Sequence, residues 1–452
     1  MLFSNKSLYK IIIPLFIEQI LAVTKGMLAS VMVSSVGEAA VSGVSLVDTV
    51  NLLLSYIFSA LATGGAVVSS QFLGRKEYDH ARSSAKQLLY SVVFTASIIT
   101  AIVLVSGKPM LSLLFGNVEA DVMGHARIYF LITSLSYPFL ALYNGGAALF
   151  RSMGNSKISM SVSMVMNFIN FSGNALLIFG FHLGAAGAAA ATLFSRIVGS
   201  VIMTVLLHDR KNVIYIEKLF SYKPDFKIIK SILGIGIPSG MENGMFQFGK
   251  ILTQSLISAM GTAVIAANAV AGTLSSFVYA VGGAVGLTLV TVVGRCVGAG
   301  EFEQAKFYSK KLMKIEYTGL ALMNIFLILF GKNVIAMYNL SPYSTDIAYK
   351  LLMWHALFNC TIWAVSFTLP NSFRTASDVR FPMIVSILSM WIFRVGLSYL
   401  LVLYFDLGIM GVWFAMFADW IFRGSIFATR FVSGKWLTKY KPPQASVSDD
   451  NG

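Results

Sequence analysis

The sequence predicts an all-α polytopic membrane protein with twelve transmembrane helices in two parallel six-helix repeats. Three features predict this fold: the composition, a series of long apolar segments separated by short basic loops, and a repeat that covers most of the chain. Of the 452 residues, 56% are hydrophobic and 12% are charged, about half of the roughly 25% charged residues of a typical soluble domain. This composition excludes a water-soluble globule, a disordered chain and a fibre.

Cysteine and histidine are too sparse to build a metal centre. The two cysteines, Cys296 and Cys360, exclude a disulfide framework or a cysteine-based metal cluster. The histidines lie far apart, with no HExxH or HxH pair. No GxxxxGK[ST] phosphate loop is present, so we expect that ATP does not drive the protein directly. We expect no cofactor, and no metal beyond a coupling ion.

Long apolar segments predict the membrane crossings. A spanning helix needs about 20 mostly apolar residues, and twelve segments meet this requirement. No small-residue cleavage site follows a short apolar core in the first segment, so we expect it to be retained. The predicted segments are 8–36, 40–73, 84–107, 123–149, 157–181, 185–208, 229–258, 263–294, 308–331, 346–371, 381–405 and 409–432.

The distribution of basic residues predicts the orientation. Of the 34 Lys and Arg, 25 lie at the termini or in alternate loops and only four lie on the opposite side. The positive-inside rule then places both termini in the cytoplasm, as in a multi-pass protein of the cell membrane. The net charge of +14 is therefore a topology signal, and its dispersal argues against nucleic-acid binding. The remaining five cations lie inside helices: Lys25, Arg196, Lys250, Arg394 and Arg423.

A repeat with an offset of about 224 residues divides the chain into two lobes. We expect an N-lobe at 1–208, a cytoplasmic linker at 209–228, a C-lobe at 229–434, and a cytoplasmic tail at 435–452 that is disordered at its end. Six helices in each half make the repeats parallel, and such lobes suit a transporter that works by alternating access. The matched residues are Pro14, Glu18, Gly37, Gly74, Glu77 and Ala81 with Pro238, Glu242, Gly261, Gly298, Glu301 and Ala305.

Glu18 and Glu242 are the leading candidates for cation coupling. They occupy equivalent positions in the two repeats, four residues after Pro14 and Pro238. A proline bends a helix, and an acid beside the bend can bind H⁺ or Na⁺. The alternative is a structural acid that pairs with a nearby lysine. The only metal that we expect is a possible Na⁺ at Glu242.

Other polar residues within the apolar segments are candidates for the substrate cavity. Lys25 and Lys250 have two interpretations: an ion pair that locks helices together, or a cationic cavity wall that attracts an anionic substrate. The amides can equally form interhelical hydrogen bonds, each typically worth under ~1 kcal/mol. The cavity candidates are Gln19, Lys25, Asp48, Asn51, Asn144, Asn174, Asn243, Gln247, Lys250 and Asn268.

Several stretches, in the same order and across the whole chain, are similar to one transporter family. They include "IIIPLFIEQIL" (11–21), "SSQFLGRKEYDHAR" (69–82), "LFRSMGNSK" (149–157), "MENGMFQFGK" (241–250) and "GRCVGAGEFEQAK" (294–306). On these motifs the chain resembles the Multidrug And Toxic compound Extrusion (MATE) family. The resemblance implies two six-helix lobes in a V shape and cation-coupled efflux of organic, often cationic, compounds.

The resemblance also implies roles for particular positions. The family's acidic cation ligand of the seventh helix falls on Glu242. Its first-helix acid falls on Ala29, its fifth-helix acid on Asn174, and the tenth-helix acid of Na⁺-coupled members near Trp363. Lys25 stands where members usually carry a neutral residue. These departures weaken the expectation of proton coupling through the N-lobe, and they leave open a changed substrate charge or an impaired transporter.

We therefore expect a secondary active antiporter that exports organic, cationic or amphiphilic compounds in exchange for Na⁺ or H⁺. The alternative is a lipid-linked oligosaccharide flippase of the same superfamily, although such flippases often have extra helices and a more basic cavity. A membrane enzyme would need an acid/base or metal constellation near the interface, and the sequence shows none. The expected partners are a small-molecule substrate and the lipid bilayer, with no nucleic acid, and the protein is expected to be a monomer.

Overall fold

The structure, a computed structural model, describes residues 2–116, 118–217 and 223–444. Part of the predicted linker (218–222) and the end of the predicted tail (445–452) lie outside the described residues. The helices of the described chain are α1 (Asn5–Ser34), α2 (Glu38–Gly74), α3 (Tyr78–Phe115), α4 (Ala120–Leu135), α5 (Tyr137–Ser152), α6 (Ser156–Gly180), α7 (Gly184–Leu207), α8 (Phe226–Ser258), α9 (Thr262–Gly298), α10 (Phe302–Ala336), α11 (Pro342–Thr375), α12 (Arg380–Leu403) and α13 (Gly408–Val432).

Ten of these helices in the described chain are long and apolar enough to cross a membrane, judged by length and composition. The exceptions are α4, α5 and α8. Helices α4 and α5 follow each other directly and together make one crossing segment. Helix α8 is long enough at 33 residues, but it carries Lys230, Glu242 and Lys250 along its length. Ten helices, the segment of α4 and α5, and α8 together agree with the twelve predicted crossings.

The fourth predicted segment, 123–149, is two helices rather than one. Pro138 has no N–H and so cannot bond to the carbonyl of Ser134, four residues earlier. That carbonyl instead accepts a hydrogen bond from Thr100 Oγ1 at 3.0 Å. The chain therefore breaks between α4 and α5, with Pro138 in the first turn of α5, where a missing N–H costs little.

The chain divides into two compact units. Among the described residues, the first unit contains 5–240 and 442–444, and the second contains 2–4 and 241–441. Their boundary lies inside α8, and the lobe bounds with a linker at 209–228 stay a prediction. Residues 229–240, which the sequence pattern assigns to the C-lobe, therefore group with the first unit.

The two halves repeat in backbone conformation as well as in sequence. Positive φ angles are uncommon outside glycine, yet they recur at equivalent loop positions in the two halves. This recurrence confirms the duplication that the sequence predicts. The matched pairs are Gly37 (129°) with Gly261 (95°), Lys76 (62°) with Gly300 (75°), Gly154 (81°) with Ser377 (63°), His182 (54°) with Asp406 (51°), and Gly184 (54°) with Gly408 (51°).

Candidate transport site

The first unit contains a cavity of about 580 Å³ between helices α1, α2, α4, α5, α6 and α7. Sites for small organic molecules typically measure roughly 300–1,000 Å³, so the cavity has the size of a drug-like ligand. Its wall combines apolar residues of α1 and α2 with amide, hydroxyl and charged groups. Six of the sequence-predicted candidates lie on this wall: Glu18, Gln19, Lys25, Asp48, Asn51 and Asn174.

Asp48 is an exposed acid on the cavity wall. Its Oδ1 accepts hydrogen bonds from Tyr129 OH at 3.0 Å and from Asn51 Nδ2 at 3.3 Å. Asn51 is held in turn by Tyr137, whose hydroxyl donates to Asn51 Oδ1 at 2.7 Å. In the part of the chain that the structure describes, no cationic nitrogen lies within 4.0 Å of the Asp48 carboxylate. Neutral donors from α2 and α4 therefore hold this carboxylate in place, and Tyr137 of α5 holds one of those donors.

Two cations, Lys25 and Arg196, lie on the same wall. Arg196 Nη1 donates to Ser136 Oγ at 2.6 Å, and its Nε is buried without a partner among the described residues. Lys25 makes no hydrogen bond or ion pair within the described chain. The predicted interpretation of Lys25 as a helix-locking ion pair therefore has no partner at contact distance here.

Glu18 is a buried acid with an arginine partner. Its Oε2 accepts a hydrogen bond from Ser159 Oγ at 2.7 Å, and its Oε1 lies 3.5 Å from Arg151 Nη1. The same arginine nitrogen donates to Ser159 Oγ at 3.1 Å, which closes a three-residue cluster. The sequence suggested a lysine as the alternative partner of this acid, and the structure supplies Arg151 from the end of α5 instead.

Glu242 lies in a second, tighter cluster within the second unit. Arg374 Nη2 donates to its Oε2 at 2.7 Å, and Ser386 Oγ donates to its Oε1 at 2.8 Å. Arg423 Nη2 lies 3.8 Å from the same Oε1. Asn371 orients Arg374 by accepting a hydrogen bond from Nη1 at 2.8 Å. The negative charge of Glu242 is thus compensated within the protein in this conformation.

The arginine partners of the two acids are the candidate site residues that sequence reasoning missed. Arg151 and Arg374 occur in the short segments "FRSMGNSK" and "FRTASDVR", where they count as topology-setting loop cations. In the structure both turn back to the equivalent acids, Glu18 and Glu242. A signal was available, because both the acid and the arginine recur in the two repeats.

The remaining candidates do not form one cluster. Asn268 accepts a hydrogen bond from Trp413 Nε1 at 3.0 Å and donates to Gln254 at 3.4 Å. Lys250 is exposed on α8. Among the described residues, no group of three or more His, Cys, Asp or Glu is arranged to hold a metal ion. The candidates that are not on the wall of the first-unit cavity, and whose role stays a prediction, are Asn144, Asn243, Gln247, Lys250 and Asn268.

Comparison with known families adds one decisive match. A profile of the MatE family fits the chain twice, over residues 14–176 and 238–400, which is more than half of the chain. The chain belongs to the MatE family. It is therefore a multi-pass membrane transporter of a multidrug efflux family, and not an enzyme. The two matches start 224 residues apart, which is the offset of the predicted repeat.

Relatives and solved structures agree with membership of the MatE family. The chain is 27% identical to the uncharacterized transporter YisQ of Bacillus subtilis over 96% of this chain and 95% of that protein. It is 26% identical to the probable multidrug resistance protein NorM of Thermotoga maritima over 96% and 93%. Its fold matches an outward-facing multidrug resistance MATE transporter of the MOP superfamily with a TM-score of 0.86 and 19% identity, over 95% of this chain and 96% of that one.

The three positions at which the resemblance implies a replaced acid fall into two environments. Ala29 and Asn174 both lie on the cavity wall, so the first unit lacks these two carboxylates where they would face the cavity. Trp363 in α11 belongs to an aromatic stack, 4.8 Å from the ring of Tyr279 and 5.3 Å from that of Phe367. This tryptophan therefore packs the interior of the second unit.

Glu316 is a buried acid of this MatE chain that the sequence analysis did not single out. Its Oε1 accepts a hydrogen bond from Thr368 Oγ1 at 2.7 Å, and its Oε2 has no partner among the described residues. The residue is fully buried in α10. Glu316 follows several lysines near the start of α10. From the sequence it therefore resembles a residue at the polar, water-facing end of a membrane helix. Its burial depends on contacts with α9 and α11.

Proposed function

We propose that the protein is a secondary active antiporter of the cell membrane that exports amphiphilic organic compounds in exchange for Na⁺ or H⁺ by alternating access. The observation that carries this proposal is the cavity of the first unit, which combines a drug-sized volume of about 580 Å³ with a mixed polar and apolar wall. The names of relatives such as the probable multidrug resistance protein NorM also support small organic substrates.

The cavity wall explains why an amphiphile would bind. Val33, Val44 and Leu52 offer apolar surface, and a ligand gains about 25 cal/mol for each Å² of apolar surface that it buries. Polar groups on the same wall, such as Asn170 and Asn174, orient the ligand through a few directed hydrogen bonds. Because few of these bonds are needed, ligands of different shape can share the site.

For coupling, we propose Glu242 and Glu18 as the residues that bind the driving ion. Each is a buried acid already neutralised by an arginine, Arg374 or Arg151. A proton or Na⁺ therefore competes with the arginine, and it binds only in a conformation in which the arginine withdraws. A difference in ion affinity between two conformations is what lets an ion gradient drive transport. Glu242 has the shorter contact and two arginines nearby, so its affinity for the ion should differ more between the two conformations than that of Glu18.

The test is a flux measurement with purified protein in proteoliposomes. Two fluorescent xanthene dyes, rhodamine 123 and carboxyfluorescein, serve as transport probes, and either a pH or a Na⁺ gradient is imposed. We expect at least one dye to move against its own gradient when one of the ion gradients is present. This movement should stop when an ionophore collapses the ion gradient. Dye movement that ignores both gradients would contradict the antiport proposal.

A further inference from the structure

We infer that the cavity of the first unit binds the anionic group of its substrate through Lys25 and Arg196. The preferred substrates are then amphiphilic organic anions that carry a carboxylate. This inference rests on the proposed export function, because it names the substrate class of the same cavity.

Lys25 and Arg196 have hydrogen-bond donors that no described residue accepts from. Lys25 lies on the cavity wall, and in the described chain its ammonium group contacts no carboxylate within 4.0 Å. Arg196 uses Nη1 for Ser136 at 2.6 Å, while its buried Nε has no described partner. A guanidinium group recognises carboxylates through paired N–H donors, and an ammonium group supplies up to three more. These unused donors are suited to an anion from outside the protein.

The acids of the cavity do not balance the two cations. Glu18 is engaged by Arg151 and Ser159, so its charge is already compensated. Asp48 is the remaining acid of the wall, and it accepts its close hydrogen bonds from neutral groups. Two cations therefore face one uncompensated carboxylate, and the cavity carries a net positive charge. In a low-dielectric site this excess charge attracts anions and repels organic cations.

One neighbouring amide extends the same preference. Asn167 lies on the wall, and its buried Nδ2 donates to no described residue. The apolar wall residues of α1 and α2 cover the other part of a ligand. The site thus fits a molecule with an apolar ring system and a carboxylate at one end.

Binding of a charge-reversed dye pair to the purified protein tests this inference. Carboxyfluorescein is anionic, and rhodamine 123 is a cation with the same xanthene ring. We expect the protein to bind carboxyfluorescein more tightly in fluorescence anisotropy titrations. Lys25→Ala and Arg196→Gln should each weaken that binding about tenfold, the scale of one lost charge-assisted contact. Both should strengthen rhodamine 123 binding.

Matched variants keep the result interpretable. Lys157→Ala removes an exposed lysine of the same unit outside the cavity and should leave both affinities unchanged. Lys25→Arg keeps the charge and should retain carboxyfluorescein binding. Lys25 makes no described contact that folding needs, so Lys25→Ala should unfold at the wild-type temperature even if Arg196→Gln does not fold. Tighter binding of rhodamine 123 by the wild type, or unchanged carboxyfluorescein binding in Lys25→Ala, would overturn the inference.

The proteoliposome experiment separates this inference from the antiport proposal. Gradient-driven export of rhodamine 123 without carboxyfluorescein would keep the antiport proposal and overturn the anion preference. Carboxyfluorescein binding that depends on Lys25, in a protein that moves neither dye with a gradient, would support the anion site and contradict antiport.

Discussion

Arg374 donates a hydrogen bond to Glu242 at 2.7 Å, and the equivalent arginine of the first repeat, Arg151, lies 3.5 Å from Glu18. The duplication has therefore preserved an acid–arginine pair in each half of the chain. Both acids are buried, at 6% and 9% exposure, so neither carries its charge in contact with bulk water. The pair is a structural element, and under the proposed mechanism a coupling ion must displace the arginine from the acid.

The Glu242–Arg374 pair should show strong energetic coupling. We expect Glu242→Gln and Arg374→Gln each to destabilise the protein by about 3–5 kcal/mol, because each leaves a buried charge without its partner. The double variant should lose clearly less than the sum of the two. Thermal unfolding in detergent, read as a double-mutant cycle, measures the difference.

An exposed ion pair of similar length provides the control for this cycle. Lys306 Nζ lies 2.8 Å from Glu303 Oε1, but Glu303 is 85% exposed. Glu303→Gln and Lys306→Gln should therefore change stability by less than about 1 kcal/mol. Additive effects at Glu242 and Arg374, like those of the exposed pair, would show that burial has not strengthened the contact.

Transport should depend more on Glu242 than on Glu18. Glu242→Gln nearly keeps the shape of the side chain but removes the charge that we propose to bind H⁺ or Na⁺. We expect gradient-driven dye transport to fall by about tenfold or more, the scale of a coupling free energy of roughly 1–3 kcal/mol. Glu18→Gln should have the milder effect. Transport is measured in proteoliposomes with equal amounts of inserted protein, so that a stability loss is not mistaken for a coupling loss. Undiminished transport by Glu242→Gln would move the coupling role to Glu18 or Asp48.

The membrane fold could be predicted from the sequence because its signals are local. Apolar length predicts a crossing, and the repeat at an offset of 224 predicts the pairing of the halves. The break before α5 was missed, although Pro138 marks it, because the apolar character of 123–149 is continuous. The division inside α8 depends on which helices pack together; the nearby Pro238 predicts a bend in the helix but not which part of it packs with which unit.

The site could be predicted only in part. Acids and lysines within apolar segments stand out, and Glu18, Lys25 and Asp48 all lie on the cavity wall. Arginines at segment ends have two possible environments, water or a buried acid, and sequence position does not distinguish them. Only the tertiary structure shows that Arg151 and Arg374 turn inward.

The orientation predicted from the basic residues can be tested by cysteine labelling. Single cysteines are introduced at exposed positions after Cys296 and Cys360 have been replaced by serine. Positions Glu38, Asp346 and Asp406 should react with an impermeant maleimide added to intact cells, because the positive-inside rule places them outside. Cysteines in basic loops should react only after permeabilisation, and labelling of these positions from outside would reverse the predicted topology. The inner positions are Lys76, Lys310 and Lys218, of which Lys218 lies outside the described residues.

A close backbone contact between two helices of the first unit should tolerate no added methyl group. A Cβ atom at Gly64 in α2 would lie 2.5 Å from the carbonyl oxygen of Ile232 and 2.9 Å from the amide nitrogen of Gly236, both in α8. These are backbone atoms, so the helices themselves must move apart. We expect Gly64→Ala to destabilise the protein by about 1–3 kcal/mol, the cost of overpacking.

Gly124→Ala in α4 is the matched control, because a Cβ atom there meets nothing within 4 Å. It should be neutral or stabilising by up to about 1 kcal/mol, since alanine favours a helix over glycine. Thermal unfolding of both variants measures the contrast, and equal unfolding temperatures would show that α2 and α8 are not in close contact at Gly64.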